Sequence, residues 1–264
     1  MPARIPMTAK QREALLALPM TEEEVIAHHS LDENERAAIA RLRSPANQLG
    51  YALQLCCLRF PGRYLRRGEL LPAIMLDHVA EQIDVDADVI ADFAKRGPTR
   101  YEQLASIKRN HGFVDLTHPV RAELKQWLEA EALSCTDGRL LLERLIARMR
   151  ERKIIIPGVS VIERLTASAM HAADAKVASE ILAQLNTEQK AKLNAVLDDK
   201  THAQQSRLSW LREPPIRVGA RGLFELLDKI DYIRRLGIGE LALPDYLKLR
   251  LSQLAREGVR YTAQ

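Results

Sequence analysis

The chain has 264 residues, of which 47% are hydrophobic and 28% are charged, so its composition excludes a disordered protein. Its formal net charge is only +4, but arginine outnumbers lysine 28 to 11. No apolar run approaches the roughly 18 residues of a membrane span, and the first residues do not resemble a signal peptide. Three cysteines without metal-ligand spacing favour a reducing, cytoplasmic setting.

Helix-start patterns recur along the chain, whereas strand patterns are almost absent. In a capping box, the side-chain oxygen of the N-cap residue accepts a hydrogen bond from a free N–H of the first helical turn. The side chain of a Glu or Gln three residues later accepts a hydrogen bond from the backbone N–H of the N-cap residue. Such pairs occur at Thr8/Gln11, Thr21/Glu24, Asp32/Glu35, Thr99/Glu102 and Ser160/Glu163. Between them the apolar residues follow helical spacing. We predict an all-α, multi-helix fold of about a dozen helices, with residues 154–156 as an extended connector.

A charge island extends from Arg36 to Gly68, where 33 residues contain seven arginines and no Asp or Glu. Glu35 and Glu69 are the acids on either side of it. The planar, always charged guanidinium suits phosphate, and arginine without nearby carboxylates is available to an external anion. The island therefore predicts a nucleic-acid contact surface.

A first helix-turn-helix-like unit lies inside the charge island. It consists of a helix over 32–42, a turn at 43–45 with Ser44 as N-cap and Pro45 at the first helical position, and a helix over 46–58. Amides can pair with adenine edges, and arginines can hold phosphates. We predict phosphate contacts by Arg41, Arg43, Arg59, Arg63, Arg66 and Arg67, and base contacts by Asn47, Gln48 and Gln54.

A second helix-turn-helix-like unit follows, with a first helix over 86–95, a turn at 96–98 and a second helix over 99–111. Its predicted DNA-contacting residues are Arg96, Arg100, Gln103, Lys108 and Arg109. Two helices joined by a short turn are common in any helical protein, so the pattern alone does not establish DNA binding.

A third basic patch occurs on a helix over 137–153, where Arg144, Arg148 and Arg152 are four residues apart. We interpret it as the solvated side of an amphipathic helix.

Proline and glycine breaks predict a boundary near residue 116 between a helical DNA-binding module, 1–116, and a second helical module, 117–264, which binds DNA or supports assembly. Signatures of an enzyme are missing or broken. The acids at 84, 86 and 88 begin like a calcium loop, but Val89 and Lys95 replace the required Gly and Glu. We predict no catalytic residues, no metal site and no cofactor in this chain.

Five segments in collinear order resemble the N-terminal region of Tn3-family transposases. They are TAKQREALLALP (8–19), SPANQLGYALQLCCLRFPGRYL (44–65), RYEQLASIKRNHGF (100–113), IIIPGVSVIERL (154–165) and LSWLREPPIRVGARGLFELLDKIDYIRRLGI (208–238). Of these, the segment at 44–65 is the most specific. Together they extend over nearly the whole chain.

The resemblance implies a helical region that binds the terminal inverted repeats of a transposon in a bacterial cell, in association with nucleoid DNA. It also implies that the catalytic Asp-Asp-Glu triad of such transposases lies on an RNase H-like sheet outside this chain. The alternative is a helical assembly module without base readout, which joins transposase subunits or a partner protein. The long helices predicted over 160–200 and 219–236 suit that role.

Overall fold

The computed structural model describes residues 5, 7–93, 97–198, 206–215, 219–239 and 241–261. In these ranges the chain forms thirteen α-helices, one 3-10 helix and no strand, which confirms the predicted all-α fold. Its contacts divide the chain into two units, Met1–His171 and Ala172–Gln264. No helix in the described ranges is both long enough and apolar enough to cross a membrane.

The first unit is built from nine α-helices, the last of which continues into the second unit. They are α1 (Ala9–Leu15), α2 (Glu22–His29), α3 (Glu33–Ala40), α4 (Pro45–Arg59), α5 (Ala73–Gln82), α6 (Gly97–His111), α7 (His118–Ser134), α8 (Gly138–Glu151) and α9 (Val159–Gln184), with the 3-10 helix Ala87–Asp92 between α5 and α6.

Local capping explains where most of these helices begin. Thr8, Thr21 and Asp32 form the predicted capping boxes of α1, α2 and α3. Ser44 caps α4 and Pro45 occupies its first turn, as the sequence predicts. The boxes predicted at Thr99 and Ser160 are wrong, because α6 begins at Gly97 and α9 at Val159, so that both residues lie inside helices.

The core of the first unit is centred on α4. Every residue from Leu49 to Leu58 is buried, and α2, α3, α5, α6 and the 3-10 helix all pack against this helix. Gly50 allows the closest approach, since the ring of Phe93 lies where a Cβ at that position would be. Cys56 and Cys57 are free thiols inside this core, and burial raises the pKa of Cys57 to about 12.

The connector at 154–156 is extended and buried, as predicted, and it ties the two halves of the first unit together. The N–H of Val114 donates to the carbonyl of Lys153 at 3.0 Å, and the N–H of Ile155 donates to the carbonyl of Val114 at 2.8 Å. Ile156 donates to the carbonyl of Gly62 at 2.8 Å. These bonds place α7 and α8 in the first unit, so the division by contacts comes after His171 rather than near residue 116. The assignment of different roles to 1–116 and 117–264 stays a prediction.

The second unit contains the rest of α9 and four further helices, α10 (Thr187–Asp198), α11 (Arg207–Arg212), α12 (Ala220–Arg235) and α13 (Asp245–Tyr261). Arg250 is buried and bonds to Asp174, which connects α13 to α9. Lys229 of α12 donates to the carbonyl of Glu213 at 2.6 Å, and Trp210 meets Tyr232 edge-on. One side of α12 is thus held against α11.

Candidate nucleic-acid interface

The second helix of the first helix-turn-helix-like unit is the central helix of the first unit. The helices α3 and α4 and the turn between them match the prediction, but α4 is enclosed by its neighbours from Leu49 to Leu58. A recognition helix has to present one side to the major groove, and α4 has no such side beyond its first turn. Its strongly apolar sequence reflects this central position.

Gln54 is the clearest correction among the predicted base contacts. Its side chain is 0% exposed, and its Nε2 donates to the carbonyl of Gly50 and to Oε1 of Gln103. Gln103 is also buried and donates from Nε2 to the carbonyl of Asn47 at 3.1 Å. The two amides join α4 to α6, so neither can reach a base edge in this structure.

The charge island is partly neutralised by the two acids that delimit it. The guanidinium of Arg59 bonds to Glu35 and also donates to the carbonyl of Ser30 at 2.9 Å. Arg63 is buried and donates to both carboxylate oxygens of Glu69, at 2.9 and 2.5 Å. Arg59 and Arg63 are therefore engaged in internal pairs that stabilise the fold, and their contact with phosphate stays a prediction.

Three other predicted contact residues are also engaged within the first unit. Gln48 donates to the carbonyls of Ala40 and Leu42 and so closes the end of α3. Arg100 donates to the carbonyl of Leu65, and Lys108 donates to Asp115 at 2.7 Å.

Hydrogen bonds from Lys108 and from the hydroxyl of Tyr64 hold the pKa of Asp115 below its usual range. The charge of Lys108 is consequently shared with a carboxylate. The turn residue Arg96 lies outside the described residues.

Five predicted arginines are exposed and have no side-chain hydrogen bond or ion pair within the described ranges. They are Arg41, Arg43, Arg66, Arg67 and Arg109. Arg36, the remaining arginine of the charge island, is exposed as well. Asn47 is half-buried in the first turn of α4, just after the turn that carries Arg41 and Arg43. These residues are the accessible remainder of the predicted interface.

Arg66 and Arg67 lie on the segment 62–72 between α4 and α5, which we call the arginine loop. Arg67, Arg100, Lys108, Tyr64 and Tyr101 line a pocket of 530 Å³ beside this loop. Tyr101 is 75% exposed on α6. Cations beside an exposed aromatic ring are the combination that meets phosphates and unstacked base faces in complexes with single-stranded nucleic acid.

The second helix-turn-helix-like unit differs from its prediction in its first helix. Residues 87–92 form a short 3-10 helix capped by Asp86, in place of an α-helix over 86–95. Its bonds from Val89 to Asp86 and from Phe93 to Ile90 span three residues, and the tight turn lets Phe93 reach Gly50.

The basic side of α8 is a network of ion pairs. Arg144 pairs with Glu131, Arg148 with Glu151, and Arg152 with Glu123. The opposite side of the helix is buried at Leu141, Leu142, Leu145, Ile146 and Met149. This arrangement agrees with the interpretation of α8 as an amphipathic helix with a solvated side.

No group of three or more His, Cys, Asp or Glu side chains in the described part of the chain is arranged to hold a metal ion.

Fold and surface together define an all-α protein whose first unit carries, around a loop and a turn, exposed arginines with no side-chain partner among the described residues. A family model described as a domain of unknown function (DUF4158) matches residues 7–169, more than half of the chain. The chain belongs to this family.

The chain is also similar to several transposases. It is 30% identical over 266 residues to the transposase for transposon Tn21 from Escherichia coli, covering 99% of this chain and 26% of that protein. It is 28% identical over 262 residues to the transposase for transposon Tn501 from Pseudomonas aeruginosa, with the same coverage of 99% and 26%. The predicted resemblance to Tn3-family transposases is confirmed, and the chain spans about a quarter of the length of these relatives.

Two features of this surface were missed by sequence reasoning. Tyr101 lies directly after Arg100, and Leu70 lies just beyond the charge island, 94% exposed. The structure shows that Leu65 and Leu71 turn inward on either side of Leu70.

Proposed function

We propose that the chain binds double-stranded DNA at the terminal inverted repeats of a transposon, as part of a transposase in replicative transposition. The observation that carries this proposal is the set of exposed, unpaired arginines in a chain that is similar to transposases over nearly its full length. Arg66 and Arg67 on the arginine loop contact phosphates, as do Arg41 and Arg43 before α4 and Arg109 on α6. In a bacterial cell the chain would accompany nucleoid DNA.

Base readout has fewer candidates than the sequence suggested. Gln54 and Gln103 are buried, and Gln48 is bonded to backbone carbonyls. Asn47 is the remaining amide, half-buried in the first turn of α4 beside Arg43. Under the proposal, the turn 41–45 approaches the duplex and Asn47 reads a base edge. We also propose that transposase chemistry lies in the part of the longer relatives that this chain does not match.

The test is binding to a labelled duplex that carries the terminal repeat and to a scrambled duplex, over a series of salt concentrations. Tight binding to the true repeat, at salt that abolishes binding to the scrambled duplex, is the expected result. Equal and steeply salt-sensitive binding to both would contradict end recognition and leave only non-specific attraction.

Phosphate contacts are tested with Arg66→Ala/Arg67→Ala. Each lost contact lowers the slope of log K against log salt by about 0.9, so the double variant loses about two units. Arg121→Ala/Arg221→Ala removes the same charge from exposed arginines outside the interface and is the matched control. An unchanged slope in the first variant would exclude the arginine loop from the DNA.

A second candidate function is assembly of transposase subunits, and α12 is the specific observation in its favour. Leu223, Leu226, Ile230 and Ile233 form an exposed apolar stripe on this helix. Their spacing of three, four and three residues is that of the a and d positions of a coiled coil. We propose that the occupant is α12 of a second copy, because an identical helix provides the same heptad register.

A further inference from the structure

Leu70 is 94% exposed, more than any other large hydrophobic side chain in the described ranges. A single exposed leucine is ordinary on protein surfaces and carries no argument alone. Its setting is what distinguishes this one. It lies on the arginine loop, three residues after Arg67 and four after Arg66, and both guanidinium groups are exposed without side-chain partners within the described ranges.

The arginine loop is held in place on both sides of these residues. Arg63 bonds to both oxygens of Glu69, and the N–H of Arg66 donates to Oε2 of Glu69 at 2.9 Å. Leu65 is buried and Leu71 packs against the core. Because the loop is already ordered, presenting Leu70 to a partner costs little further conformational entropy.

The surroundings of Leu70 are cationic as well as apolar. A pocket of 640 Å³ is lined by Leu70 together with Arg66, Arg67 and Arg100, and its remaining lining is largely apolar, with Leu71 and Phe93 among it. Among the residues that line this pocket, Glu69 is the only acid, and the carboxylate of Glu69 is paired with Arg63. Three arginines beside an exposed apolar tip suit the surface of duplex DNA, where phosphates border stacked bases.

We propose that Leu70 is a wedge that enters the minor groove and inserts between two base pairs, while Arg66 and Arg67 lie along that groove. This inference rests on the proposed DNA-binding function. It specifies that the arginine loop binds a duplex that is bent and locally unstacked. Apolar wedges partly unstack a base step and bend the duplex by about 20–90°. Pyrimidine–purine steps unstack at the lowest cost, and narrow A·T-rich minor grooves attract arginine. The arginine loop is thus expected to prefer DNA in which a flexible pyrimidine–purine step lies next to an A·T-rich tract.

The experiment measures bending by energy transfer between dyes at the two ends of a terminal-repeat duplex. A 2-aminopurine placed at successive steps reports local unstacking by its fluorescence. The wild-type chain is compared with Leu70→Ala, with Leu70→Met, which retains an apolar wedge, and with the control Leu140→Ala, which shortens a leucine exposed on α8. Circular dichroism confirms that each variant is folded.

We expect the wild-type chain, Leu70→Met and Leu140→Ala to bend the duplex and raise the 2-aminopurine signal at one step. Leu70→Ala should do neither and should bind about 10-fold more weakly, since it no longer buries a leucine. Its salt slope should equal that of the wild type, because Leu70 carries no charge.

The outcomes separate this inference from the proposed function. No binding by the wild-type chain to any duplex would overturn both. Binding with the expected slope loss in Arg66→Ala/Arg67→Ala, but with identical bending by the wild type and Leu70→Ala, would overturn the wedge alone. Unchanged bending together with weaker self-association of Leu70→Ala would show that the residue meets protein instead, and would also overturn the wedge.

Discussion

Arg63 joins the arginine loop to the C-terminal end of α1 through one guanidinium. It donates to the carbonyl of Leu16 at 3.0 Å, to the carbonyl of Tyr64 at 3.1 Å, and to Glu69. Removing one partner of a buried pair leaves the other charge unpaired, which costs more than an exposed ion pair is worth. Arg63 therefore stabilises the arginine loop, and its loss would alter DNA binding only indirectly.

We predict that Arg63→Met lowers the free energy of unfolding of the first unit by about 2–4 kcal/mol. Trp127 is the only tryptophan of that unit, so urea unfolding followed by its fluorescence in a Trp210→Phe background reports the unit separately. Arg66→Met, which removes an exposed and unpaired arginine, should stay within about 0.5 kcal/mol of the parent. Equal effects of the two substitutions would contradict a structural role for Arg63.

Glu69 makes the stability of the same unit depend on pH. Burial raises its pKa, but hydrogen bonds from Arg63 and from the N–H of Arg66 outweigh burial and hold the pKa below its usual value of 4.5. Folded Glu69 thus binds protons less readily than unfolded Glu69 does. Its contribution is complete above the usual value and is lost as the pH falls through the folded pKa.

We predict that the parent loses more unfolding free energy than Glu69→Gln as the pH falls from neutral to below 4.5. The reason is that the glutamine variant has no carboxylate to protonate at this position. The measurement is a set of urea unfolding curves at each pH, again followed by Trp127. Parallel pH profiles would show that Glu69 is not coupled to folding.

At the scale of elements, α4 changes from the expected recognition helix to the helix around which the first unit packs. Every residue from Leu49 to Leu58 is buried, Gln54 included, so α4 presents no side to solvent along these ten residues. Gly50 marks the tightest contact, where the ring of Phe93 fills the space beside the helix.

We predict that Gly50→Ala destabilises the first unit by about 1–3 kcal/mol, although alanine is the better helix former, because its Cβ would overlap the Phe93 ring. Phe93→Ala should reduce the cost of Gly50→Ala, and a double-mutant cycle measures this coupling. Gly158→Ala, where the added Cβ meets open space, should change stability by less than about 0.5 kcal/mol. A neutral Gly50→Ala would show that α4 and the 3-10 helix separate easily.

At the scale of the whole molecule, the two units carry different surfaces. The first has unpaired arginines around an ordered loop, and the second has the apolar stripe of α12. Charge suits a polyanion, whereas exposed leucine and isoleucine at heptad spacing suit another helix.

We predict that the chain dimerises with rising concentration and that Leu226→Glu/Ile230→Glu keeps it monomeric, because a charge at an a or d position disrupts the apolar seam. Sedimentation velocity over a concentration series measures this association. Asp228→Lys, on the polar side of α12, is the control and should dimerise like the parent. A parent chain that stays monomeric at high concentration would remove the second candidate function.

The sequence by itself determined the all-α fold, the helix starts at Thr8, Thr21, Asp32 and Ser44, and the position of the charge island. Capping and charge counts depend on residues a few positions apart, so they can be read along the chain.

Only the tertiary structure decided which arginines face solvent and that α4 is enclosed. Arg59 meets Glu35 and Gln54 meets Gln103 across 24 and 49 residues, and such pairings follow from how the helices pack. A basic residue that is buried and paired with a carboxylate of its own chain is less available to an external anion than an exposed, unpaired one. The accessible interface is therefore a property of the fold, and composition alone could not define it.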